Sequence, residues 1–196
     1  MHKAATEHPV PVLVLGDSYA TRFINFLAHT PRCGLLSLGG LGFSGATIAT
    51  FKQGLKQSNL SSLPACSTII VLIGTNNILS DTPLVCIKQQ FLSLLRYLIK
   101  VFPNATFVLS ELPIFPRVQN NPVAVQAIHA VNALLRTLRS ERVVVISLPH
   151  SVSQPSNFHS HYRNSSRRDQ IHLNNQGYTL LAHYILIALT HKRSIT

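Results

Sequence analysis

The sequence predicts a three-layer α/β/α sandwich around a five-stranded parallel sheet. Two observations carry this expectation. Five short apolar, β-branched runs each end in a polar or glycine-rich turn, and the segments between most of them show helical periodicity. Such runs suit strands buried on both faces of a parallel sheet, since strands with one solvated face alternate apolar and polar residues instead. Strands alternating with helices then require right-handed crossovers, which place helices on both faces.

Residues 10–15 form the first expected strand, ended by Gly16-Asp17 and followed by a helix. Further strands are expected at 34–38, 67–73, 106–110 and 142–148. Over residues 84–102, Leu84, Ile87, Phe91, Leu94 or Leu95, and Leu98 recur at three- and four-residue steps, with Lys88, Arg96 and Lys100 opposite. That is the stripe of a core-facing helix. Residues 122–139 repeat it through Val125, Ile128, Val131, Leu135 and Leu138, leaving Arg136 and Arg139 to solvent, and a last helix is expected over 175–189. Residues 149–171 are polar without clear periodicity, and a loop of that length is uncommon unless it serves a function.

A chain of 196 residues fits one domain, expected over 8–192 with flexible ends at 1–7 and 193–196. With 46% apolar and only 12% charged residues, a disordered chain is excluded. Lys and Arg number 17 against 6 acidic residues, a net charge of +11 that attracts anions. RNA, an anionic membrane surface or an anionic substrate would each answer that field. Cys33, Cys66 and Cys86 are odd in number and widely spaced, which suits reduced thiols rather than a disulfide framework. Residues 1–9 lack the apolar core of a signal peptide, and the longest apolar stretch, 178–190, is interrupted by His183 and falls short of a membrane span. These features point to an intracellular protein, cytoplasmic or nuclear.

Ligands of open parallel sheets bind beyond the carboxyl ends of the strands, so chemistry is sought just after each one. Gly16-Asp17-Ser18-Tyr19 puts a serine where a strand gives way to a helix N-terminus, among unpaired backbone N–H groups that suit an oxyanion. The same placement is that of an ordinary N-cap serine. Residues 39–47, rich in glycine, read as a flexible turn after the second strand and lack the spacing of a phosphate loop. Gly74-Thr75-Asn76-Asn77 follows the third run, where the Asn76 amide is either a donor over the sheet edge or a loop residue holding its own backbone. In Asp169-Gln170-Ile171-His172 the three-residue spacing can return a carboxylate to an imidazole and orient it as a base. Only three Asp residues exist in the chain, and two of them fall in these segments.

In order and placement the four segments resemble the SGNH (GDSL-like) hydrolases, over roughly residues 10–190, and 173–178 also looks like that family's continuation after its histidine. The resemblance implies a flavodoxin-like fold and a serine esterase that needs neither cofactor nor metal. Ser18 would be the nucleophile, His172 the general base and acid, and Asp169 the residue that orients it. Ser18 N–H, Gly45 N–H and the Asn76 amide would form the oxyanion hole, with Gly40 and Gly42 near enough to compete with Gly45. Asn77 stands where many members carry Asp, which questions the neighbouring hydrogen bonds. With no lid helix visible, short acyl esters such as acetyl are the expected substrates, with small esters or lipids as the wider class. The basic, signal-less character further resembles the esterase domain in the first-open-reading-frame protein of some LINE-type retrotransposons.

The alternative is a basic RNA-binding module on the same fold, with Arg136, Arg139, Arg142, Arg163, Arg167, Arg168, Lys192 and Arg193 as phosphate contacts. Aromatic residues are not interleaved with these as stacking platforms. Arg163, Arg167 and Arg168 would also steer an anionic substrate. His150, His159 and His161 lack companion ligands at zinc spacing, and Tyr162, Tyr178 and Tyr184 read as packing residues.

Overall fold

Five parallel strands, β1 (Val10–Gly16), β2 (Leu35–Gly42), β3 (Thr68–Leu72), β4 (Thr106–Ser110) and β5 (Val143–Ile146), lie in the order β2-β1-β3-β4-β5. This computed structural model describes residues 10–30, 33–161 and 168–193. Val12 to Leu15 and all of β3 are buried, as strands covered on both faces must be.

The helices are α1 (Ser18–His29), α2 (Ile48–Gln57), α3 (Thr75–Leu79), α4 (Leu84–Val101), α5 (Pro122–Thr137) and α6 (Asn175–Arg193). α1 packs on α6, and α4 packs on both α2 and α5, giving the two outer layers. α4 buries Ile87, Phe91, Leu94, Leu95 and Leu98, whereas Leu84, in its first turn, stays exposed. α5 buries Ile128, Val131 and Leu135 together with Asn132, whose amide exchanges hydrogen bonds of 2.8 and 2.9 Å with the Leu112 backbone.

The glycine-rich segment departs from expectation. Residues 39–42 continue β2 rather than forming a turn, and the pairing with β1 shifts register between Val12 and Val14. The reason is close approach: Gly40, at φ +156°, lies so near β1 that a Cβ would stand 1.8 Å from the Val14 carbonyl oxygen. α2 and α3 are two further elements. Thr47 caps α2 by accepting the Thr50 N–H, and Ile48, Phe51 and Leu55 anchor it in the core.

The polar stretch before α6 contains two 3₁₀ turns, His150–Ser153 and Pro155–Asn157. Isolated antiparallel bridges then join Phe158 to Leu173 and His161 to Arg168. The three cysteines are free and half-buried. Among the described residues, no helix is long and apolar enough to cross a membrane.

Candidate active site

β1 and β3 are adjacent strands whose carboxyl ends flank the point where the chain order reverses, and the site assembles there. Asp17 follows β1 and caps α1, its carboxylate accepting the Tyr19 N–H at 2.9 Å. The cap fixes Ser18 as the first helical residue at the sheet's edge. Asn76 sits in the first turn of α3, directly after β3. Asp169 and His172 arrive from the loop before α6.

These distant segments meet in one relay. Ser18 Oγ lies 2.7 Å from His172 Nε2, and His172 Nδ1 lies 2.7 Å from Asp169 Oδ1. The three-residue spacing works because Gln170 turns the chain at φ +49°, and Asp169 Oδ1 accepts the N–H groups of Ile171 and His172 at 3.3 and 3.2 Å. Asp169 is 1% exposed and His172 6%. From α1, the Tyr19 hydroxyl donates to the Ile171 carbonyl.

The other Asp169 oxygen, Oδ2, lies 3.0 Å from Arg22 Nη1. Arg22, one turn beyond Ser18 on the same helix, is a site residue that sequence reasoning missed. Its i+4 spacing from the serine was the available signal, but many helical arginines have such a neighbour. Burial pushes the Asp169 carboxyl upward, yet the hydrogen bond and charge of His172 and the Arg22 guanidinium outweigh it and hold the group below the ordinary carboxylate range. It is therefore an anion in the relay.

The Asn76 amide donates to the Ala46 carbonyl at 3.0 Å and to Asp17 Oδ2 at 3.3 Å. Both of its hydrogens thus have partners within the site. Asp17 is wholly buried, and burial raises its carboxyl to about 7, against the lowering effect of the Tyr19, Gly74 and Asn76 hydrogen bonds. Ser18, Arg22, Gly45, Asn76 and His172 line one cleft of about 350 Å³. Gly45 takes φ +77°, and a Cβ there would meet nothing within 4 Å. Gly40 and Gly42, by contrast, lie within β2.

Asn77 answers the question its identity raised. Fully buried, it accepts the Ile48 N–H at 3.0 Å and donates to Gln90 Oε1 at 2.9 Å, tying α3 to the start of α2. A neutral amide serves both contacts, one as acceptor and one as donor.

Arg136 and Arg139 stay exposed, as expected, and Arg142 is half-buried, while each also bonds to the fold. Arg136 Nε donates to Glu111 at 2.6 Å, Arg139 to the Val145 carbonyl, and Arg142 to the carbonyls of Phe102 and Ala105. Arg168 is exposed beside its bridge to His161. Tyr162, Arg163 and Arg167 lie outside the described residues, as do the side chains of Lys192 and Arg193. Tyr178 packs on Phe23 and Phe26, and Tyr184 on His183. Among the described residues, no three His, Cys, Asp or Glu side chains converge as a metal site would require.

A parallel α/β sandwich with a Ser-His-Asp relay at its switch point has the plan of a serine hydrolase. The family model of the GDSL-like lipases and acylhydrolases matches residues 14–180, and the chain belongs to that family. No curated protein sequence matches at a significant level. Among solved structures, the chain is similar to a GDSL-like lipase from Bacteroides thetaiotaomicron, with a TM-score of 0.66, 19% identity and coverage of 96% of this chain and 93% of that one. It is also similar to the C-terminal domain of Drosophila Oskar, with a TM-score of 0.69, 21% identity and coverage of 90% and 87%. A third is an acetyl esterase determined with an acetate ion, with a TM-score of 0.62, 12% identity and coverage of 95% and 100%.

Proposed function

We propose that this protein is a serine esterase that hydrolyses short acyl esters, acetyl esters foremost. The unbroken relay from Ser18 through His172 to the buried Asp169 carries this reading. Ser18 Oγ attacks the ester carbonyl as its proton passes to His172 Nε2. Asp169 holds the imidazole by Nδ1 and stabilises the cation that forms. Collapse of the tetrahedral intermediate returns that proton to the departing alcohol, and a water activated by the same nitrogen then hydrolyses the acyl-enzyme.

The oxyanion would sit against the Ser18 and Gly45 N–H groups and the Asn76 amide, which exchanges its Ala46 contact for the developing charge. Short acyl groups suit a cleft bordered, among the described residues, by the turn at Ser44-Gly45 and by a five-residue helix rather than a long lid. The acetyl esterase among the structural relatives accords with this choice.

Initial-rate hydrolysis of p-nitrophenyl esters of increasing chain length, by wild type and Ser18→Ala, tests the proposal. Acetate should be the preferred acyl group, and Ser18→Ala should lose roughly 10⁴-fold or more in kcat. Equal rates in the two proteins would overturn the esterase reading. Turnover confined to long acyl chains would overturn the acetyl preference.

A further inference from the structure

Ser18, Arg22, Asn25 and His29 recur at three- and four-residue steps and so lie along one face of α1, with the nucleophile at one end. Arg22, Asn25 and His29 of this stripe line a groove of about 1040 Å³ together with His159, His161 and Asn175. Arg22 lines both this groove and the cleft at Ser18, so a ligand attached to the ester can pass from one to the other along it. Its side chain is 30% exposed even with Nη1 on Asp169.

The groove's polar lining comprises a guanidinium, side-chain amides, imidazoles and the hydroxyl residues Thr30 and Tyr178. Among the described residues no Asp or Glu lines it, and Asp169, the carboxylate behind Arg22, is buried. Asn175 is the first residue of the 19-residue α6, whose N-terminal end adds positive potential at the groove. Arg22 and this helix end both border the groove. In a chain of net charge +11, a donor-rich, acid-free groove selects for an anion.

We propose that this groove receives an anionic group, a phosphate or carboxylate, on the alcohol portion of the substrate, so that anionic esters are the preferred substrates. The inference rests on the esterase reading for its catalytic meaning. Binding of the anion, however, can be measured without turnover.

The first arm titrates Ser18→Ala protein with glycerol phosphate and with glycerol, following backbone amide NMR shifts along α1. Glycerol phosphate should bind and glycerol should not. Asn25 is exposed, so its replacement leaves the core intact. Asn25→Asp should weaken phosphate binding about tenfold, and Asn25→Lys should strengthen it. Indifference to either charge, or equal binding of the two ligands, would overturn the proposal.

The second arm compares the acetyl ester of glycerol phosphate with acetylglycerol, expecting a kcat/KM ratio of about ten that falls in Asn25→Asp. Equal, Ser18-dependent turnover of the two esters would overturn the anion preference. Turnover of neither would overturn the esterase reading and leave the binding arm to decide the groove. Comparing the soluble ester with an analogue carrying a long alkyl chain, held in phosphatidylcholine vesicles, separates the sources: faster turnover of the vesicle-borne ester assigns the anion to a lipid headgroup, and faster turnover of the soluble one assigns it to a small phosphate ester.

Discussion

Arg22 reaches from α1 to within 3.0 Å of Asp169 Oδ2, so the helix that presents Ser18 also grips the carboxylate at the far end of the relay. The acid is thereby held from two sides, by His172 on one oxygen and by Arg22 on the other. Arg22 acts as a positioning residue. An ion pair with a partly exposed guanidinium contributes about 1 kcal/mol.

Arg22→Ala should therefore lower kcat toward a neutral acetyl ester by roughly tenfold, with a smaller effect on KM, and Arg22→Lys should restore part of the loss. The same substitution removes one of the influences that depress the Asp169 carboxyl. That group stabilises the fold above its unfolded pKa, near 3.8, and the contribution is lost as pH falls through the lower folded value. Without Arg22 the folded value rises, so acid unfolding followed by circular dichroism should begin at higher pH.

Asn76 is poised between two acceptors rather than idle. Asn76→Ala should reduce kcat by roughly 100- to 1,000-fold, the cost of one oxyanion donor, while leaving KM for a small ester within a few-fold. Steady-state kinetics on p-nitrophenyl acetate would show the split.

Asp17 gives the fold a pH dependence of the opposite sign to that of Asp169. Its folded pKa of about 7 exceeds the unfolded 3.8, so between these values the native state holds a proton that the unfolded chain has released. Stability from this group is complete below about 3.8 and falls as pH rises toward 7. Asp17→Asn, which keeps an acceptor for the Tyr19 N–H, escapes that loss. Urea unfolding at pH 4 and pH 8 should show the variant gaining on wild type at the higher pH.

Gly40→Ala sets a Cβ against the Val14 carbonyl, at 1.8 Å, in a backbone conformation that L-residues rarely adopt. The strand pair would have to part, and a loss of roughly 3 kcal/mol or more is expected, read as a lowered urea midpoint. Gly45→Ala lacks any such neighbour, and its cost is limited to the strain of φ +77°.

These residues also mark how far the sequence could be read. The five strand positions and the relay were legible because buried parallel strands and a Ser…Asp-x-x-His pattern leave local signatures. Residues 39–42 were misassigned because glycine signals freedom without saying whether a turn or a neighbouring strand requires it. α2 carried its signal in Thr47, Ile48, Phe51 and Leu55, a cap and a short stripe masked by the glycine run before it. Arg22 and the raised carboxyl of Asp17 were beyond local inspection, since each depends on a partner or a burial that only folding creates.

Three ties from α1 to the final loop, Ser18 to His172, Tyr19 to Ile171 and Arg22 to Asp169, join segments about 150 positions apart. The five strands, meanwhile, are complete by Ile146. During synthesis all five strands and the serine emerge before the acid and the base. The relay from Ser18 to Asp169 forms only once residues 169–172 have reached the first helix. A polypeptide halted after β5 would carry Ser18 without either His172 or Asp169.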